Sequence, residues 1–276
     1  MVFFKVHSKE YIYLTIRYIT SILLYSLIIS FMWLGKSIST CLFILAIFSA
    51  FRFLCSVFMV GYLKGNAIKI HEKQFPEIFT ILKSHAHKLE FKNLPEIYLL
   101  QAGGTLNAFA TRFARKNFVV LYSDILELAY QEGEDALAFI IGHELGHIKR
   151  SHVGFIKSLF LLPADCVPFL GKAYSRACEY TCDNIGYNLA PAGGEKGLLV
   201  LAAGKKLYKN IAVDQLMRDM HNVSGFTFWF AEIFMSHPSL LKRIAVIHQL
   251  NQNHTMAQKP FFVSPPVNVQ NQEISK

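Results

Sequence analysis

Phe139-Ile140-Ile141-Gly142-His143-Glu144-Leu145-Gly146-His147-Ile148-Lys149-Arg150 is the stretch that decides how this chain is read. It holds His-Glu-x-x-His, with an apolar run before it and basic residues after it. Glu134 and Asp135 open the segment, and Lys149, Arg150 and His152 close it. That charge order suits a helix dipole, so the pattern predicts a helix from Glu134 to about His152. Residues four apart share a helix face, so His143 and His147 can reach one metal ion. Glu144 lies about 100° round the same helix. There it can act as general base on an attacking water.

A tetrahedral catalytic zinc takes three protein ligands and keeps one position open. His152 follows the pair closely. The extended arrangement with a third histidine would need Gly at 150 and His at 153, where this chain has Arg150 and Val153. His152 is therefore read as a helix-end cation or surface group. The segment Ser175-Arg176-Ala177-Cys178-Glu179-Tyr180-Thr181-Cys182-Asp183-Asn184 offers an alternative. Glu179 and Asp183 share a face of a predicted helix, as a ligand and a carboxylate accepting from a ligand histidine would. Spacing alone leaves that balanced against a solvated acidic face.

Further matches carry a resemblance. His-Glu-x-x-His followed by Glu-x-x-x-Asp inside Ser175–Asp183 resembles the HtpX-like membrane zinc metalloproteases, which are related to the CAAX prenyl proteases. Leu106-Asn107-Ala108-Phe109-Ala110 resembles that family's segment before the active-site helix. Ser236-His237-Pro238-Ser239-Leu240-Leu241-Lys242-Arg243-Ile244 resembles a segment near the domain's end. The resemblance covers roughly residues 67 to 250. It implies one zinc per chain held by His143, His147 and Glu179, with Glu144 as base. Asp183 would orient a ligand histidine, and His237 would stabilise the oxyanion. Arg243 would pair with an acidic group. Physically, a strand at a sheet edge could also hold an extended peptide at Asn107, Ala108 and Phe109. The chain departs from the family in several respects: Cys182 stands where a small residue is usual, Cys178 where a charged one is frequent, and the several further spans of the prenyl proteases are not found. The interval 153–173 is too short and too broken for two further spans.

The bulk properties point to a membrane. The chain has 276 residues, 53% hydrophobic, with a formal net charge of +9. Much of the apolar excess lies in the first 63 residues. Tyr18–Gly35 carries no charge, and Ser37–Leu63 is interrupted only by Arg52, which is read as snorkelling. Each run is long enough to span a bilayer. No small-residue cleavage site follows the first run, so it is not read as a cleaved signal. Lys5, Lys9 and Arg17 flank one end, Lys64, Lys69 and Lys73 the other, and the turn offers only Lys36. The positive-inside bias then puts both ends, and the catalytic domain, in the cytoplasm. The scattered Lys and Arg suit a membrane surface and not nucleic acid. The five cysteines show no paired framework.

The expected architecture is α+β and mostly helical. It comprises an N-terminal tail (1–10), a transmembrane hairpin (11–64), a zincin-like metalloprotease domain with a small sheet (65–258) and a loose C-terminal tail (259–276). Strands are predicted at 95–100, 107–113 and 117–122. Turn residues around Pro191, Gly193 and Gly194 are predicted to separate two later helices. The expected activity is endopeptidase cleavage of membrane-associated proteins in quality control, in an integral, multi-pass protein. The rival readings are a latent zinc-holding sensor or scaffold and a maturation protease with one substrate. Intact Glu144 argues against the sensor.

Overall fold

The computed structural model describes residues 4–35, 38–101, 103, 106–113, 115–222 and 225–258. The turn at Lys36 and the tail 259–276 lie outside the described residues. The first two helices, α1 (Ser8–Gly35) and α2 (Ile38–Asn66), are long and apolar enough to cross a membrane, and very little of their apolar windows is buried. Protein helices that expose this much Leu, Ile and Phe need an apolar surrounding.

A mixed four-stranded sheet follows, with strands β1 (Ile68–Ile70), β2 (Glu96–Leu100), β3 (Ala108–Phe113) and β4 (Lys116–Tyr122) in the order β1-β2-β4-β3. β2 and β4 run parallel; β1 on β2 and β3 on β4 are antiparallel. β4 is central, and its Val119, Val120 and Leu121 are fully buried. β3 is an edge strand. Between β1 and β2 lies α3 (Pro76–Lys88), and after β4 comes α4 (Ser123–Glu132).

The helix that carries the histidines, α5 (Asp135–Lys149), is the centre of the domain. It packs against α3, β3 and β4, and against α8 (Leu170–Leu189) and α9 (Pro191–Leu207). Glycine lets α5 and α8 touch: a Cβ on Gly142 would lie 3.0 Å from Gly186 Cα, and one on Gly186 only 2.8 Å from the Phe139 carbonyl oxygen. The predicted turn at Pro191, Gly193 and Gly194 is instead the first turn of α9. A Cβ on Gly193 would sit 1.8 Å from the Asp135 carbonyl oxygen, so this glycine serves close approach to α5 and not a bend. Pro191 occupies the first helical position, where its missing N–H costs nothing.

The interval after α5 holds two short helices, α6 (Phe155–Phe160) and α7 (Leu162–Asp165), and no spanning segment. α1 is anchored to this region. Its Glu10, Arg17 and Ser21 are buried, at spacings that put them on one face, and α1 packs on α7 and α8. Arg17 pairs with Asp165 and lies 4.8 Å over the Tyr174 ring. The Tyr25 hydroxyl donates to the Leu159 carbonyl at 2.9 Å. Residues before α1 also pack down: the Lys5 N–H donates to Asn184 and the His7 N–H to Thr181, both at 3.1 Å. Lys5 and His7 are thereby tied to α8. Arg52, read as snorkelling, donates to Ser158 Oγ at 2.7 Å. The chain ends its described part with α10 (Val213–Asn222), α11 (Phe226–Phe234) and α12 (Leu240–Gln258).

Candidate metal centre

The close α5–α8 contact brings the two sequence segments with ligand spacing into one site. His143 Nε2 and His147 Nε2 lie 3.2 Å apart. Glu179 Oε2 lies 3.5 Å from His143 Nε2, and Glu179 Oε1 lies 3.5 Å from His147 Nε2. Ligands at zinc distances in tetrahedral geometry are separated by about 3.3–3.4 Å. The two imidazole nitrogens and the carboxylate lie close enough together to hold one ion, each Glu179 oxygen beside a different histidine, and two imidazoles with one carboxylate form a donor set that suits zinc and leaves a position open.

Asp183 and Arg243 support this set. Asp183 accepts from His143 Nδ1–H at 2.9 Å, which leaves Nε2 as the nitrogen that faces His147 and Glu179 and would be bare with a metal bound. Arg243, from α12, donates to Asp183 through Nε and Nη2, both at 2.7 Å, and its Nη1 lies 3.1 Å from Glu179 Oε2. These groups are all buried. Burial works against the charge of Glu179, but hydrogen bonds from His143, His147 and His237 hold its carboxyl well below the usual range. Burial likewise opposes charge on His143, yet Asp183 and Glu179 push it up to about 10. Asp183 is held low chiefly by the Arg243 charge, against burial. The cluster is a compensated network, which makes its buried charges tolerable.

A cavity of about 530 Å³ opens beside the site. It is lined by His143, Glu144, His147, Glu179 and His237, and by residues 106–110 at the start of β3. Glu144 is 7% exposed and sits on this wall. Asn107, Ala108 and Phe109 lie at the sheet edge facing the same cavity. His237 Nδ1 donates to Glu179 Oε1 at 3.1 Å, and the bond raises the pKa of His237. Its side chain is 64% exposed, so it stands at the mouth of the cavity.

His152 was misread. Its side chain is 5% exposed, with Nδ1 3.2 Å from His147 Nδ1 and Nε2 3.1 Å from Glu10 Oε1. The turn after α5 explains this. Ser151 has φ 53, its N–H bonds to the Ile148 carbonyl, and the His152 N–H bonds to the His147 carbonyl. This is a Schellman ending, which folds the second residue past the helix back over the one three from its end. The signal was the short distance in sequence from His147. Glu10 gave no such signal, being 142 positions from His152.

The sequence profile of Peptidase family M48 matches residues 72–164 and 154–251. Among solved structures, the chain is similar to the crystal structure of S. mikatae Ste24p, with 15% identity and a TM-score of 0.48, covering 89% of this chain and 68% of that one. No curated protein matches it.

Proposed function

The chain belongs to peptidase family M48, and on that premise we propose that it is a membrane-anchored zinc endopeptidase with Glu144 as its general base. The observation that carries this reading is the convergence of His143, His147 and Glu179, with ligand atoms within 4.8 Å of one another, on the wall that also holds Glu144. Zinc, when bound there, supplies Lewis-acid polarisation of the scissile carbonyl and lowers the pKa of water. Glu144 takes the proton of the attacking water and returns it to the leaving amine. Asp183 and Arg243 keep His143 in one tautomer and orientation. His237 stabilises the oxyanion from the mouth of the cavity.

The edge strand β3 binds the peptide. It has one side paired to β4, so backbone groups on its other side can take an extended substrate. On this reading α1 and α2 form a membrane hairpin, and the flanking Lys and Arg support a cytoplasmic domain. Substrates are then proteins at or in the bilayer, and the role is membrane-protein quality control.

The test compares the detergent-purified, zinc-loaded protein with its Glu144→Gln variant on an unfolded protein substrate. Losing the base should cost at least about 10²-fold in rate, with zinc content unchanged. Equal rates for the two proteins would refute the mechanism. One bound zinc per chain with no cleavage by either would favour a latent sensor.

A further inference from the structure

His143 has an orienting partner in Asp183, but among the described residues no carboxylate meets the Nδ1 of His147. It has His152 instead. We infer that His152 and Glu10 are positioning residues for the metal, forming a relay that fixes His147 and ties the first membrane helix to the active site. The inference rests on the zinc reading above and extends it to residues outside the ligand set.

Hydrogen positions along the relay admit one order. His147 Nε2 faces His143 Nε2 and Glu179, so it must be bare to bind a metal. Its proton then sits on Nδ1, 3.2 Å from His152 Nδ1. His152 Nδ1 must accept, which leaves its proton on Nε2. That N–H donates to Glu10 Oε1 at 3.1 Å. Cys182 Sγ, 3.6 Å from His152 Nδ1, is a thiol and can share the same acceptor. Glu10 is 1% exposed and is held by Arg150, whose Nε and Nη2 donate to Oε1 at 3.1 and 2.9 Å. Arg150 also lies 5.2 Å over the Tyr11 ring. Each donor meets an acceptor from His147 to the membrane helix, so a ligand histidine is oriented from outside its own helix pair.

The alternative occupant is a metal on His147, His152 and Cys182, whose ligand atoms lie within 4.8 Å of one another.

The experiment uses the full chain in detergent, stripped of metal and titrated with zinc against a chromophoric chelator, with a cobalt spectrum and a urea melt of each metal-free protein. His152→Leu should weaken zinc binding by about 10–100-fold. His152→Asn, whose side-chain oxygen can accept from His147, should recover most of that loss. Glu10→Gln keeps the shape but replaces a charge-assisted bond by one about half as strong, and should weaken binding by several-fold. If His152→Leu does not fold, Glu10→Gln alone decides, and unchanged affinity there overturns the relay. So does wild-type affinity in His152→Leu, or equal loss in the Leu and Asn variants, which would mean packing only. A thiolate-to-cobalt charge-transfer band would overturn it too, by making Cys182 a ligand. A wild type that takes up no zinc refutes the zinc reading itself, and is distinct from a wild type that binds zinc no better than its variants.

Discussion

Asp183→Asn keeps the side chain's shape and removes its charge, so it isolates what the carboxylate does. Asp183 Oδ1 accepts from His143 Nδ1–H at 2.9 Å and Arg243 Nη2 at 2.7 Å, and Oδ2 accepts from Arg243 Nε at 2.7 Å. An amide offers one acceptor oxygen and two donor hydrogens. Its NH₂ end must therefore face an N–H of Arg243 or His143. Two losses follow. Removing the partner that orients a ligand histidine costs about 10–100-fold in metal affinity, or about 1.4–2.8 kcal/mol. In the metal-free protein, Arg243 is left 7% exposed with Glu179 as its remaining carboxylate at 3.1 Å. Breaking one side of a buried pair costs about 3–5 kcal/mol, and the contact that remains points to about 3 kcal/mol, the low end. Zinc competition titration reads the first loss, and urea unfolding of the stripped protein reads the second. Affinity within about threefold of wild type, together with unchanged unfolding, would show that Asp183 neither orients His143 nor holds Arg243.

Burial, outweighing a hydrogen bond with the Ala138 carbonyl, pushes the His85 imidazole down to about 4. The unfolded chain takes up this proton near pH 6.5 while the folded protein refuses it. Stability should thus fall by up to about 3 kcal/mol from pH 6.5 to 4 and the penalty level off below; a His85→Gln variant in pH-stepped urea melts should lack that part of the slope. Ser151→Gly relieves a left-handed serine and should raise the unfolding free energy by about 1 kcal/mol, with zinc affinity unchanged; a loss of stability would contradict the reading of the turn. Gly186→Ala puts a methyl 2.8 Å from the Phe139 carbonyl oxygen. It should destabilise by about 1–3 kcal/mol and weaken zinc binding, because α8 must move away from α5; wild-type affinity would show that the close contact does not set the site.

What could be read from the sequence was what local spacing encodes. The α5 histidines share a face because of a four-residue interval, and the same interval pairs Glu179 with Asp183 on α8. β2, β3 and β4 stood out as apolar segments between turn residues. β1 did not, because three residues are too few for a period to show. Gly193 and Gly194 were misread because isolated propensity favours a turn, whereas the position is decided by the Asp135 backbone packed against it. His152 was misread for a related reason. A charged-looking residue past a helix end is ordinarily solvated, and only the left-handed Ser151 turns it inward. Glu10 was out of reach altogether, since a contact across 142 positions leaves no mark in local pattern.

These misreadings share a consequence for the domain boundary. A hydropathy reading divides the chain between residues 64 and 65, with an anchor before and a catalytic domain after. The two histidines proposed as ligands are supported from opposite sides of that division. His143 is held by Asp183 and Arg243, both within the later part. His147 is held through His152 by Glu10, which belongs to the first membrane helix. Arg17 on the same helix pairs with Asp165, so the attachment does not rest on one residue. A chain begun at residue 65 would keep every ligand and the base. It would lose the carboxylate that completes the relay, and its zinc affinity should drop by about tenfold. The apolar first helix is thus tied to the later part of the chain through Glu10 and Arg17, and on the relay proposed above its first turns help to hold His147 in place.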